Sequence, residues 1–174
     1  MDDPVINQLI NNTVISEVDI QNTREYLEKF PKKLKYWIKL ALKNDEKQSW
    51  KVAWVIEKSI GSNDILLKPY LTKIINRLEQ LSYSHQRILL KLLLNYNLTK
   101  KQQGLLFGAS ETIWRNVNCK SGTRYYALMC LFSISNNYPE LKKEIYNLLD
   151  NYHLKSLSPG IKRTIIIKKK RNFY

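Results

Sequence analysis

A chain of 174 residues that is 44% hydrophobic can bury a core without disulfides or metal, and its length fits one domain. Cys119 and Cys130, 11 positions apart, are its two cysteines and belong to no Cys-x-x-Cys or Cys/His cluster, which excludes a disulfide framework and a zinc site and predicts two buried thiols in a reducing compartment. The net charge of +14, from 29 basic and 15 acidic residues, points toward a polyanionic partner and says nothing about fold.

The N-terminus, Met1-Asp2-Asp3-Pro4, is acidic where a secretory signal is basic, and no apolar run follows it. No stretch approaches the roughly 18 apolar residues of a membrane span. The expectation is a cytoplasmic protein with no membrane partner and no metal or cofactor. Residues 1–21 fit no pattern found later in the chain and read as a loose cap or an extra helix.

From residue 22 to 167 the chain reads as a helical repeat. Thr23 to Phe30 and Lys33 to Leu42 form a leading hairpin interrupted at Pro31. Four later segments share one pattern, a serine followed by a cation and then an apolar helical run, beginning at Ser49, Ser84, Ser121 and Ser158. The cations Lys51, Arg87, Arg124 and Arg163 are spaced by 36, 37 and 39 residues, the length of a two-helix unit in a helical array. The serines are expected as helix N-caps, and Pro159 stands where a missing amide costs nothing.

Between these starts lie the partner helices. Leu67, Tyr70, Leu71, Ile74, Ile75 and Leu78 recur at spacings of three and four, one apolar stripe of an amphipathic helix. Gln102 to Asn116 and Pro139 to Asp150 read the same way. Ile165-Ile166-Ile167 is too short and isolated to make a sheet, and Lys168 to Tyr174 reads as a frayed basic tail. The fold expected is all-α, an α-solenoid of about four to five stacked hairpins.

The tryptophan-rich stretch Ser49-Trp50-Lys51-Val52-Ala53-Trp54-Val55-Ile56-Glu57, the later Tyr138-Pro139-Glu140-Leu141-Lys142 and the closing Gly160-Ile161-Lys162-Arg163 resemble a family of small HEAT-like helical-repeat proteins of Bacteroidetes-type bacteria. The resemblance covers residues 22 to 170 and implies the same repeat fold. Members are often labelled adenylosuccinate lyase, so the resemblance also implies lyase chemistry. Enzymes of that kind carry a glycine- and serine-rich loop with a Met-Pro-x-Lys-x-Asn pattern, which this chain, with five glycines, lacks.

Other chemistry is equally hard to place. His85 and His153 are the two imidazoles, both near helix ends, and His85 reads as a surface residue of a first helical turn. Gly104 and Gly108 make no phosphate loop and are expected to permit close helix packing. No constellation identifies an enzyme.

What remains is a groove. In arrays of this kind the second helices line a concave face, so Lys51, Lys58, Arg87, Lys91, Arg124 and Arg163 could form a basic stripe beside Trp50, Trp54 and Tyr125. The same cations could equally form a structural ladder, with the tryptophans in the core. Glu57 lies on the Trp50/Trp54 face, where a desolvated carboxylate needs a partner: an ion pair with a cation such as Arg87, or a ligand in a pocket floored by the two tryptophans. The cations from Lys162 to Arg171 could bind polyanions loosely or complement the negative end of the last helix.

The function expected is a non-enzymatic interaction module that binds an unidentified protein in its groove. The alternative is a DNA- or RNA-binding protein distantly like HEAT-fold DNA glycosylases, though Glu57 stands where those enzymes place an aspartate. Lysine outnumbers arginine 22 to 7, which weakens a phosphate-gripping reading, since the planar arginine fork suits phosphate better.

Overall fold

The computed structural model describes residues 3–44 and 48–173, with side chains through Lys168. Among the described residues there are eleven α-helices and no strand: α1 Pro4–Asn11, α2 Glu17–Lys29, α3 Lys32–Ala41, α4 Ser49–Ser59, α5 Leu71–Arg77, α6 Tyr83–Leu93, α7 Lys100–Arg115, α8 Ser121–Ser135, α9 Leu141–Asn147, α10 Asn151–Lys155 and α11 Pro159–Phe173. Single 3-10 turns at Lys68–Tyr70 and Leu78–Gln80 flank α5. The fold is the all-helical repeat the periodicity called for, and the chain divides into two compact units, 1–97 and 98–174.

In the first unit α4 is the centre, packed by α1, α2, α3 and α6. Its apolar positions Val52, Ala53, Val55 and Ile56 are buried, as are Trp37 and Ile38 of α3 and Leu89 and Leu90 of α6, two of the helices packed on it. Of the stripe expected from its spacing, Leu67, Leu71, Ile74, Ile75 and Leu78 are buried and Tyr70 is half-buried, and the one helix expected there is α5 with a 3-10 turn at each end. In the second unit α8 takes the central place, against α7, α9 and α11, with Ala127, Leu128, Cys130 and Leu131 at zero exposure. Both cysteines are buried and neither forms a disulfide, and burial pushes the Cys130 thiol up to about 12.

The repeat positions of the second helices come out where the pattern puts them, with α4, α6, α8 and α11 starting at residues 49, 83, 121 and 159. The capping chemistry does not. Ser49 and Ser121 are the first helical residues, and their N-cap positions are held by Gln48 and Lys120 without a side-chain bond. Ser84 is the second residue of α6, after an N-cap at Ser82. Ser158 alone stands directly before its helix, with its carbonyl accepting from Lys162. Side-chain caps are instead made by Asp3 on α1, Ser16 on α2, Thr99 on α7 and Asp150 on α10. Ser16 with Asp19 and Thr99 with Gln102 are full capping boxes, each satisfying two otherwise orphaned amides.

Three further expectations meet a different structure. A side chain added at Gly104 or Gly108 would enter open space, so neither glycine serves helix packing; both lie on the solvent side of α7. In the segment 1–21, read as a loose cap or an extra helix, α1 is a helix of its own and α2 already begins at Glu17. α11 continues through Phe173, which makes the backbone of the expected frayed tail helical; the side chains of Lys169, Lys170 and Arg171 lie outside the described ones, as do Met1, Asp2 and Tyr174.

Candidate interaction surface

Helical spacing puts Trp50, Trp54 and Glu57 on one face of α4, with Lys58 beside them. Trp50 is 40% exposed, Trp54 half-buried and Lys58 exposed. On α6, Arg87 and Lys91 stand one turn apart; Arg87 is exposed and Lys91 half-buried. The Glu57 side chain is only 7% exposed, and its Oε1 lies 2.8 Å from Lys91 Nζ. The inter-repeat ion pair is therefore made with Lys91 rather than Arg87, four residues earlier on α6. This bond joins the two helix faces into one surface, with an exposed indole at one end and Arg87 on the other helix.

Lys51 points elsewhere. Its Nζ donates to the carbonyls of Ile10 and Asn12, both at 3.0 Å, where α1 ends. Those carbonyls have no helical partner and carry the negative end of the helix dipole, so an ammonium there satisfies both at once. Arg77 does a similar thing at the end of α3, donating from Nη2 to Leu42 O at 3.3 Å.

Arg124 is a correction to the groove reading. It has zero exposure, and its guanidinium donates from Nε to Trp114 O at 2.8 Å, from Nη2 to His153 O at 2.8 Å and from Nη1 to Ser156 Oγ at 2.6 Å. Its Cζ sits 4.6 Å from the centre of the Trp114 ring. Among the described residues no carboxylate pairs with it. Two helix ends, those of α7 and α10, stand in for the counter-ion with their unsatisfied carbonyls. Burial pulls its pKa below the ordinary arginine value, with Cys119 opposing; a guanidinium remains protonated in proteins even so. Tyr125, its neighbour, is half-buried and packs edge-on to Tyr126, with ring centres 5.3 Å apart; burial and then Tyr126 raise its pKa. Arg163 is exposed on α11.

The expected stripe of six cations is thus divided. Lys51 and Arg124 hold helix ends, Lys91 holds Glu57, and Lys58, Arg87 and Arg163 reach solvent. The structural-ladder reading describes the first three, with the difference that carbonyls rather than acids receive Lys51 and Arg124.

Both histidines lie near helix ends, as their positions in the sequence suggest, and His85 departs from expectation in its burial. His85 is 3% exposed, not a surface residue, with Nδ1 2.8 Å from Ser82 Oγ, and burial lowers its pKa while the Ser49 backbone opposes. His153 is 9% exposed, lies near-parallel to Trp114 at 6.4 Å between ring centres, and places Nδ1 2.8 Å from Asp150 Oδ1. Bonds from His153 hold the Asp150 carboxyl below its ordinary value. Neither imidazole combines a nucleophile, an orienting acid and an opening to solvent, the arrangement that acyl or proton transfer needs. No group of three metal-ligating side chains occurs among the described residues, and no helix there is long and apolar enough to cross a membrane.

The sequence reading missed Asp3. This carboxylate is 1% exposed, caps α1 through Val5 N at 3.1 Å, and accepts from Tyr26 Oη at 3.2 Å and Trp37 Nε1 at 3.1 Å. The Asp-Pro pair before an apolar run was its available signal, an N-cap followed by proline at the first helical position.

No curated protein and no solved structure matches the chain. The model of the HEAT repeat domain matches residues 7–170, spanning both units and all four second-helix starts, and the chain belongs to that family.

Proposed function

We propose that this HEAT-repeat chain is a non-enzymatic interaction module that binds a protein partner across the α4–α6 face of its first unit, with Trp50 as the anchor and Lys58 and Arg87 as the charged flank. The observation that carries the reading is the 40% exposure of Trp50 on a face otherwise closed by Trp54 and the Glu57–Lys91 pair. An indole held half out of a rigid helix offers large apolar area at little entropic cost, and tryptophan and arginine are the residues most often dominant in binding energy. The two cations suit a partner with acidic groups around an apolar contact.

Binding to DNA or RNA uses the same cations differently and gives a different result in one experiment. Anisotropy titrations against duplex DNA and a structured RNA across a salt series are compared with affinity selection of cellular proteins, using wild type, Trp50→Ala and Lys58→Glu/Arg87→Glu. The proposal expects a protein whose capture is lost with Trp50→Ala, and no nucleic-acid binding at physiological salt. Nucleic-acid binding that falls steeply with salt and vanishes in the double charge variant would replace it with the polyanion reading. An alanine variant of Lys51, Arg87 and Arg124 would be a poor control, because two of its three positions hold the fold together.

A further inference from the structure

A second surface feature of the first unit lies where α2 meets α3. The turn between α2 and α3 surrounds a cavity of about 460 Å³ lined by Asp3, Lys29, Phe30, Pro31, Lys32, Lys33 and Tyr36. That volume falls in the range of about 300–1,000 Å³ typical of sites for small ligands and peptide side chains.

The walls are apolar and the rim is cationic. Phe30 is 44% exposed, Pro31 is exposed and Tyr36 is half-buried. Lys29 Nζ stands 5.6 Å from the centre of the Phe30 ring, and Lys29 and Lys32 are both exposed. The one acid in the lining cannot neutralise them. Asp3 already receives Val5 N, Tyr26 Oη and Trp37 Nε1, and the cation beside it is Lys33, at 3.7 Å. Among the described residues Lys29 and Lys32 have no carboxylate partner.

The back of the cavity is held in place. Tyr26 is tilted against Phe30 at 5.2 Å and stacked on Trp37 at 6.1 Å between ring centres, and both polar tips end on Asp3. Pro31 fixes the backbone where α3 begins. A turn locked by a buried carboxylate and three aromatic rings presents its phenyl ring and lysines without further ordering, which is what makes a shallow apolar site able to bind.

We propose that this cavity is a docking site for a short acidic segment of a protein partner, with an aromatic or large aliphatic side chain seated between Phe30 and Tyr36 and flanking aspartates or glutamates over Lys29 and Lys32. The apolar lining favours a peptide over a nucleic-acid backbone, which would meet the cations and leave Phe30 and Pro31 uncovered. The site is separate from the α4–α6 face and does not depend on it.

The test uses the full chain. Random heptapeptides displayed on phage are selected on wild type and on Lys29→Glu/Lys32→Glu, and the enriched sequences are synthesised and titrated by anisotropy. The expected result is an aromatic or large aliphatic residue flanked by acids, with affinity reduced about tenfold or more by the charge variant and by Phe30→Ala, and unchanged by Trp50→Ala. Thermal melting confirms that each variant folds; Lys29 and Lys32, being exposed, should leave it unchanged. Enrichment of no acidic motif, retention of binding by Lys29→Glu/Lys32→Glu, or equal displacement by duplex DNA would overturn the proposal.

Discussion

Replacing Arg124 by methionine isolates what a buried guanidinium does without an acid. The usual argument says that a buried ion pair exchanged for apolar residues is nearly neutral, because both charges leave together and their desolvation cost leaves with them. Here only one side can leave. The carbonyls of Trp114 and His153 belong to the backbone and stay buried, while Ser156, which is exposed, can turn to water. Two buried hydrogen bonds from a charged donor contribute about 1.5–3 kcal/mol each, so their loss spans about 3–6 kcal/mol. Relief of the buried charge returns part of that, and methionine fills most of the vacated volume, leaving a net loss of about 2–4 kcal/mol. At a urea slope of about 2 kcal/mol/M, typical of a small protein, this lowers the midpoint of the second unit by about 1–2 M. Lysine at the same position carries the charge but not the three-way fork, and should recover about half the loss. The assay is urea unfolding followed by hydrogen exchange at the amides of α7, α8 and α10. A methionine variant within about 0.5 kcal/mol of wild type would refute the idea that Arg124 replaces missing helix-end partners.

The remaining predictions concern single features. Lys51→Met should speed hydrogen exchange in α1 and lower stability by about 1 kcal/mol, less than Arg124 because Lys51 is only half-buried and water can reach the Ile10 and Asn12 carbonyls; unchanged exchange in α1 would show that the ammonium bonds are idle. Ser49→Ala should be neutral or slightly stabilising in a thermal melt, since the Ser49 Oγ is buried with no hydrogen-bond partner, whereas loss of a true cap would cost about 1 kcal/mol. Burial depresses the His85 pKa below 6.5, so the unfolded chain takes up that proton first. Its contribution is then complete above pH 6.5 and lost as pH falls from there toward the depressed folded value, and His85→Gln should flatten that part of the stability profile. The lowered Asp150 carboxyl acts in a separate window, below its ordinary value of 3.8. Both thiols should resist a disulfide reagent at pH 8 in the folded protein and react fully in urea, because burial raises both pKa values and blocks access.

The repeat was readable because periodicity reports burial directly. The four second helices start within a residue of their expected places, and the aliphatic members of the stripe from Leu67 to Leu78 are buried as its spacing requires. Capping was misread because a serine near a helix start looks the same whether it sits at the cap or one residue inside, and only the backbone angles decide which. Arg124 stands open between groove and ladder in the sequence for a related reason: nothing local distinguishes a cation facing solvent from one facing the ends of helices about 10 and 30 residues away. The Glu57 pair was legible in kind but not in partner, since Arg87 and Lys91 are one turn apart on the same face and either could reach. Six of the seven residues lining the pocket at Phe30 fall within residues 29–36, and what their pattern does not show is that Asp3, distant in the chain, folds back onto that turn.

The central claim, that recognition centres on the α4–α6 face, is tested most directly by placing a photo-crosslinking amino acid at position 50 and, as a control, at the exposed Leu105 position of α7. Irradiation in cells followed by mass spectrometry should give one protein joined through position 50, absent from the Leu105 sample and lost when Lys58→Glu and Arg87→Glu are added. Crosslinks of equal pattern from both positions, or a crosslink to nucleic acid alone, would contradict the claim.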